Sequence, residues 1–323
     1  MVHMGDATLK VWCPDEGPTP LIVRWFMTEW CNYACTYCPQ THDRRAPKGR
    51  FTAHAFDNHP LERWIEAFDR HFSAHKVSLV ITGGEPMIDA RNMPPLLRHL
   101  AAQDYVACIR IDTNASWSPD RYADIDLSKI VLMCTFHPGQ VEEESFLENV
   151  RRLRQAGFAV GMVNYVMNDA AIPEFERRRK VFQDQGLLLH PNPLWNGAGH
   201  YGPEAVALME ESLPPLDFAH RAGRRMPLGR QCLFPSISYE LKYTGEVRAG
   251  CGFTAGDFFA TKLPARPKGW RRCPYTSCVC LDKYSFLRES DRNVTLNPLA
   301  DYAESLWAIA KAAGGTAGTP ADG

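Results

Sequence analysis

Three closely spaced cysteines near the start of the chain, Cys31, Cys35 and Cys38, carry the strongest chemical signal in the sequence. They lie in TEWCNYACTYCPQ, directly after an apolar run that begins at Leu21. Thiolates at this Cx3Cx2C spacing can bind three irons of a [4Fe-4S] cluster and leave the fourth iron open for another ligand. A structural zinc site is the alternative, but it needs four ligands, and His42 would have to supply the fourth.

A second motif, TGGEP at residues 82–86, follows the next apolar run, VSLVIT. Glycines let a backbone come close to a ligand, and a carboxylate complements an ammonium group. Glycine and proline occur in many turns, so the motif alone is weak evidence for a ligand site. Its position after a predicted strand and downstream of the cysteines makes that evidence strong.

Together the two motifs resemble the radical S-adenosylmethionine (SAM) superfamily, in which an aromatic residue precedes the last cysteine of CxxxCxΦC. The resemblance covers about half of the chain, residues 21–191. It implies that the three cysteines bind a [4Fe-4S] cluster, which reductively cleaves SAM to a 5'-deoxyadenosyl radical. The residues that the motifs assign to SAM binding are Tyr37, Gly83, Gly84, Glu85 and Pro86.

Further polar residues follow or lie within later apolar runs, where the carboxyl ends of parallel strands would meet. By the same resemblance they would contact the ribose or carboxylate of SAM, or the substrate. Capping of turns and helices is the alternative role. The residues are Asn114, His137 and Asn164.

Five more cysteines lie in a loop-rich region late in the chain: Cys232, Cys251, Cys273, Cys278 and Cys280. With a predicted hairpin turn between the first two, the region resembles the twitch or SPASM type of auxiliary-cluster domain. Five cysteines exceed the needs of one [4Fe-4S] cluster by one. We therefore expect one auxiliary cluster, held by the set without Cys251, in addition to the SAM-binding cluster.

Cys251 is set apart by its spacing. Related domains have four residues between the hairpin glycine and the second cysteine, but here five residues separate Gly245 from Cys251. Flanking residues Gly250 and Gly252 would allow a substrate to approach closely. We expect Cys251 to be a free thiol that returns hydrogen to a substrate radical. The alternative, that Cys251 is a ligand and another late cysteine is a bystander, stays open.

Six apolar, β-branched runs alternate with helical patterns and predict an α/β fold with parallel strands. Either a partial (β/α)6 barrel or an open doubly wound sheet fits this pattern, and the resemblance implies the partial TIM barrel. A small C-terminal cysteine-rich iron–sulfur domain would follow it. We expect a barrel over 1–205, an auxiliary-cluster domain over 206–295, and a C-terminal helix and disordered tail over 296–323. The runs begin at Leu21, Val77, Tyr105, Ile130, Phe158 and Leu187.

Composition narrows the class of protein. A formal net charge of -1 argues against a general nucleic-acid or membrane-surface binder. No apolar run approaches the roughly 20 residues of a membrane span, and MVHMGDATLK does not resemble a signal peptide. We therefore predict a cytoplasmic location, where eleven cysteines indicate metal or redox chemistry rather than disulfides. Cys108 and Cys134, within apolar runs, are predicted core thiols.

The single auxiliary cluster and the spare thiol resemble the aminoglycoside-modifying radical SAM enzymes. We predict an epimerase of antibiotic biosynthesis that inverts a carbon of an aminoglycoside sugar, with flavodoxin or ferredoxin as electron donor. A dehydrogenase that oxidises an amino-sugar or cyclitol alcohol is the alternative. An iron–sulfur carrier would not need the TGGEP motif. Carboxylates that could face a polycationic substrate are Glu142, Glu143, Glu144, Glu240 and Asp257.

Overall fold

The computed structural model describes residues 21–38, 54–168, 170–193, 201–212 and 227–276. Six parallel strands overlap the six predicted apolar runs, which confirms the runs as strands, although the run from Phe158 forms a strand only from Met162 onward. They are β1 (Leu21–Thr28), β2 (Val77–Gly83), β3 (Val106–Thr113), β4 (Ile130–Phe136), β5 (Met162–Met167) and β6 (Leu188–Pro193). The later strands are β7 (Gln231–Cys232), β8 (Ser238–Lys242), β9 (Glu246–Ala249), β10 (Thr254–Asp257) and β11 (Arg271–Arg272).

Helices connect the parallel strands in the pattern that the sequence predicts. They are α1 (Ala55–Asn58), α2 (Leu61–Phe72), α3 (Met93–Ala102), α4 (Glu143–Gln155), α5 (Phe175–Asp184), α6 (Pro203–Ser212) and α7 (Phe234–Ile237). None of these helices in the described part of the chain has the length and apolar character that a bilayer span needs. The predicted C-terminal helix, Cys278, Cys280 and His42 lie outside the described residues.

The order of strands in the main sheet decides between the two predicted architectures. Nine strands run in the order β10-β9-β8-β1-β2-β3-β4-β5-β6, so β1 to β6 lie side by side in chain order. A doubly wound sheet would reverse direction at a switch point, whereas consecutive order is the pattern of a (β/α) barrel. The sheet therefore has the strand order of a partial barrel.

Alternate residues of β1 point to opposite faces of the sheet, and the two faces differ in chemistry. Val23 and Trp25 are fully buried on the helix-covered face. Ile22, Arg24 and Phe26 point to the other face, which we call the concave face, and the last two stay partly exposed. The concave face is therefore the side of the sheet where a substrate could lie.

The predicted hairpin is part of the main sheet. Strands β8 and β9 pair antiparallel, and Gly245 in the turn between them has φ +86°, a conformation that glycine adopts readily. Strand β8 also pairs in parallel with β1, with Ser238 beside Ile22 and Glu240 beside Arg24. Because both elements share one hydrogen-bonded sheet, the late cysteines that flank the hairpin are held in a fixed relation to β1.

Aromatic side chains pack β1 against helix α2. The ring of Trp25 lies 4.8 Å from that of Trp64 and 5.2 Å from that of Phe68, both in α2. Phe258, which follows β10, is fully buried and contacts the same helix, with its ring 5.0 Å from that of Phe68. These contacts join β1, α2 and the end of the hairpin region into one core.

We predict that Trp25→Ala lowers the free energy of unfolding by about 3–5 kcal/mol, because it leaves a large cavity among buried aromatic rings. Leu228→Ala is the control: Leu228 is 51% exposed, and its removal should change stability by less than about 0.5 kcal/mol. Urea unfolding of the anaerobic apoprotein measures both values. A loss below about 1 kcal/mol for Trp25→Ala would contradict this account of the core.

Candidate active site

The cysteine loop begins directly after β1, at the carboxyl end of the parallel strands. Its backbone folds onto its own thiols: the Tyr33 N–H donates to Cys31 Sγ at 3.4 Å, and the Cys38 N–H donates to the Cys35 carbonyl at 3.2 Å. Burial raises the pKa of the Cys31 and Cys35 thiols to about 11. Both are therefore protonated at neutral pH until a metal ion replaces the proton.

The three thiols suit an iron–sulfur cluster by their chemistry and by their place in one loop at the catalytic end of the sheet. Within the described ranges, no three His, Cys, Asp or Glu side chains are close enough together to hold a metal ion as they stand. Cluster binding by these cysteines stays a prediction.

The glycines of the TGGEP motif bring two backbone segments into contact. The Gly84 N–H donates to the Thr28 carbonyl at 2.7 Å, and the Glu85 N–H donates to the Trp30 carbonyl at 2.7 Å. A Cβ on Gly83 would lie 2.1 Å from the Thr28 oxygen, and one on Gly84 would lie 2.0 Å from the Trp30 oxygen. Both positions therefore exclude any side chain, for a packing reason that the sequence did not reveal.

Glu85 is a buried link between the end of β2 and the end of β3. Its Oε1 accepts from the Met87 N–H at 3.1 Å and from the Thr113 hydroxyl at 2.8 Å, and its Oε2 accepts from the Asn114 N–H at 2.5 Å. Burial raises the pKa of Glu85 to about 7. Both carboxylate oxygens thus already have protein donors, and contact of this side chain with the SAM amino group stays a prediction.

Asn114 extends this network to the cysteine loop. Its side-chain Nδ2 donates to Asn32 Oδ1 at 2.9 Å and lies 3.9 Å from Cys31 Sγ. Its Oδ1 accepts from the Ser116 N–H at 3.0 Å. The structure therefore brings Asn114 and the first cysteine together, as their positions at strand ends suggested, through a contact with Asn32 that no sequence motif indicated.

His137 follows β4 and contacts the other side of the cysteine loop. Its Nδ1 lies 2.9 Å from the Tyr37 hydroxyl and 3.5 Å from Cys35 Sγ. Burial lowers the pKa of His137 to about 4, so the ring is neutral at pH 7. The nearby side chain of Gln140, which the sequence did not single out, accepts from the Ala34 N–H at 2.8 Å.

Asn164 lies in β5 on the concave face, away from the hydrogen bonds described above. In the register of the sheet it is beside Thr135 of β4 and His190 of β6. Its side chain is half-buried. Asn164 therefore shares a row with Thr135, near the end of β4, and with His190, within β6, and its contact with SAM or substrate stays a prediction.

Three of the late cysteines meet in one region. Cys232 in β7 pairs with Arg271 in β11, and Arg271 is two residues before Cys273 in the sequence. The Tyr275 hydroxyl donates to the Cys251 carbonyl at 2.5 Å, and Cys273 Sγ lies 3.9 Å from the Tyr275 carbonyl. These contacts place the backbone segments that carry the three cysteines next to one another, and an auxiliary cluster on them stays a prediction.

Cys232 and Cys251 lie near the amino end of β1, opposite the cysteine loop. Cys251 packs in an apolar cluster with Ile22, and the neighbouring Gly250 N–H donates to the Ser238 carbonyl at 2.8 Å. At about 3.3 Å per residue, Ile22 and Thr28 are about 20 Å apart along the strand. The two cysteine groups therefore occupy opposite ends of the concave face.

The candidate substrate-facing carboxylates have different surroundings. Glu143 is ion-paired with Arg177 at 3.0 Å and with Arg178 at 3.2 Å. Asp257 lies in the edge strand β10, where its Oδ1 accepts from the Phe259 N–H at 2.9 Å. Glu240 lies on the concave face, in the row of Arg24. Of these three, Glu240 is the carboxylate that the sheet places beside the candidate substrate space.

Two solved structures that hold SAM have a similar fold. SuiB from Streptococcus suis, bound to S-adenosylmethionine, matches 75% of this chain at 12% identity with a TM-score of 0.53, and the chain spans 62% of SuiB. Native anSMEcpe with bound AdoMet, which is SAM, matches 91% of this chain and 98% of its own at 11% identity with a TM-score of 0.52. At these identities the likeness shows the fold alone.

BtrN in complex with AdoMet and 2-DOIA matches 90% of the chain at 12% identity, but its TM-score of 0.34 is too low to support an inference. No protein-family model and no curated protein matches the sequence.

The strand order and the likeness to the two SAM-bound structures confirm the predicted α/β partial barrel, with its mostly parallel sheet, as the fold. The auxiliary domain, the domain boundaries and the assigned site residues stay predictions.

We predict that Gly84→Ala weakens SAM binding at least tenfold and destabilises the fold by about 1–3 kcal/mol, because its Cβ would overlap a backbone oxygen that cannot move aside cheaply. Gly202→Ala is the matched control, since a Cβ there meets no atom within 4 Å. Equilibrium dialysis with labelled SAM and thermal unfolding measure the two effects. Unchanged SAM affinity in a folded Gly84→Ala protein would contradict the prediction that the close contact between Gly84 and the cysteine loop supports SAM binding.

Proposed function

We propose that this chain is a radical SAM epimerase that inverts one carbon of an aminoglycoside sugar, in the manner of neomycin C epimerase, in antibiotic biosynthesis. The observation that carries the proposal is the separation of the two cysteine groups along β1. A sugar held on the concave face between them has one side toward the cysteine loop and the other toward Cys251. Removal of hydrogen from one side and its return from the other inverts the carbon.

The residues at the carboxyl ends of the strands fit the two groups that this chemistry needs. Cys31, Cys35 and Cys38 would hold the SAM-binding [4Fe-4S] cluster, and the backbone around Gly84 would face the amino group of SAM. When bound, these groups supply a carbon radical that takes a hydrogen atom from the substrate. Neutral His137 would position Tyr37 and Cys35, since it contacts both side chains.

Cys251 is proposed as the catalytic hydrogen donor. Its S–H bond breaks, a new C–H bond forms on the inverted substrate carbon, and a sulfur radical remains on Cys251. One electron and one proton then restore the thiol, and the electron comes from a donor such as reduced flavodoxin or ferredoxin. The eleven cysteines of the chain, read as metal-binding and redox residues, favour the cytoplasm as the location, because disulfides are rare there.

The auxiliary [4Fe-4S] cluster is proposed to bind Cys232, Cys273, Cys278 and Cys280. With the expected division at residues 205 and 295, these ligands belong to a twitch-like domain whose hairpin extends the barrel sheet. The convergence of Cys251 with Cys232 and Cys273 favours one alternative: Cys251 as a ligand, in a dehydrogenase that oxidises an amino-sugar or cyclitol alcohol through the cluster.

We predict that Cys31→Ala lowers the iron content after anaerobic reconstitution from about eight to about four atoms per chain, because one of the two clusters loses a ligand. The cleavage of SAM should be abolished. Cys108→Ala, which removes a core thiol that is 1% exposed, should keep the full iron content. Iron analysis and chromatography of 5'-deoxyadenosine test this, and full iron with normal SAM cleavage in Cys31→Ala would refute the ligand assignment.

We predict that Cys251→Ala retains iron and SAM cleavage but yields no epimerised product, because the substrate radical lacks its hydrogen donor. In D2O with SAM, dithionite and neomycin C, the wild-type product should gain about one mass unit, since a thiol hydrogen exchanges with solvent and the new C–H bond does not.

Loss of about four irons in Cys251→Ala, together with a wild-type product about two mass units lighter, would instead establish the dehydrogenase. Cys134→Ala serves as the control for removal of a thiol, because Cys134 is fully buried on the helix side of β4. This variant should retain both clusters and form labelled product.

A further inference from the structure

Arg24 is a charged side chain on the concave face of the sheet, where most neighbours of the same strand are apolar. In the register it lies between Val80 of β2 and Glu240 of β8. Along β1 it is two residues from Ile22, near Cys251, and four residues from Thr28, near the cysteine loop. Its position is thus between the two cysteine groups, where the proposed substrate would lie.

The guanidinium of Arg24 has an unmet donor. Its Nε is buried and makes no hydrogen bond to an acceptor within the described ranges. The contact that the structure gives it is with the ring of Phe26, 5.2 Å from the guanidinium carbon. By contrast Arg110, two strands away on the same face, donates from its Nε to Asp112 at 2.9 Å. A buried donor without an acceptor is rare in folded proteins and calls for a partner.

We propose that Arg24 is a substrate-binding residue whose guanidinium donates hydrogen bonds to an oxygen of the sugar. Arginine offers donors in a planar fork and cannot accept, so its partner must be a hydroxyl, ring or glycosidic oxygen, and not an ammonium group. The inference rests on the proposed function, because it takes an aminoglycoside sugar as the occupant of the concave face.

Glu240, which lies beside Arg24 in the strand register, adds a carboxylate to this position. A carboxylate accepts hydrogen bonds and attracts an ammonium group, whereas the guanidinium donates and repels one. Beside this carboxylate, the guanidinium of Arg24 would favour a sugar that turns an oxygen, and not an ammonium group, toward it. Arg24 therefore determines how the sugar ring of the substrate is oriented as well as how tightly it binds.

Titration calorimetry of neomycin C into the reconstituted enzyme with SAM, without reductant, tests the proposal under conditions that prevent turnover. Arg24→Met should raise Kd about 10- to 100-fold, because a hydrogen bond to a charged donor is lost. Arg24→Lys, which keeps the charge but loses the fork, should give an intermediate Kd. Arg98→Met is the control: it removes a cation that is bound to Asp124 on the surface, and Kd should not change.

Thermal unfolding of the ligand-free variants separates binding from a structural role. Arg24→Met should unfold at or above the wild-type temperature, because the buried Nε of Arg24 makes no hydrogen bond to the described residues that the variant would lose. A Kd within twofold of wild type for both Arg24 variants would overturn the inference while leaving the proposed function standing. Failure of the wild-type enzyme to bind neomycin C would instead refute the substrate of the proposed function, and the inference with it.

Discussion

The candidate active site depends on one close backbone contact, between the TGGEP turn and the start of the cysteine loop. Two N–H groups of the turn donate to the carbonyls of Thr28 and Trp30, and the absence of side chains at Gly83 and Gly84 permits the approach. Because this contact joins the ends of β1 and β2, it determines where the loop leaves the sheet. This contact therefore also sets the position of the cysteine thiols that follow in the loop.

From this contact a polar network spreads around the loop. Glu85 accepts three hydrogen bonds that connect the turn with the end of β3, and Asn114 continues from there to Asn32. His137 approaches from the end of β4 and contacts Tyr37. Buried polar groups stabilise a structure when their partners are satisfied, so this network makes the loop geometry specific rather than merely compact.

The second constraint is the parallel pairing of β8 with β1. It attaches the hairpin to the barrel sheet along five residue pairs, from Ile22 beside Ser238 to Phe26 beside Lys242. A hairpin held only by a linker could sit anywhere relative to the cysteine loop, but a shared sheet fixes both distance and face. The separation of the cysteine groups, and hence the argument for inversion of a substrate carbon, follows from this register.

The sequence by itself determined the parallel strands, the cysteine loop and the TGGEP motif, because apolar periodicity and residue spacing are local properties of the chain. It could not decide between a barrel and a doubly wound sheet, since strand order depends on contacts distant in sequence. Nor could it reveal that both oxygens of Glu85 accept hydrogen bonds, that the buried Nε of Arg24 lacks an acceptor among the described residues, or that Cys251 lies near the opposite end of β1. Each of these depends on the register between strands, which only tertiary packing sets.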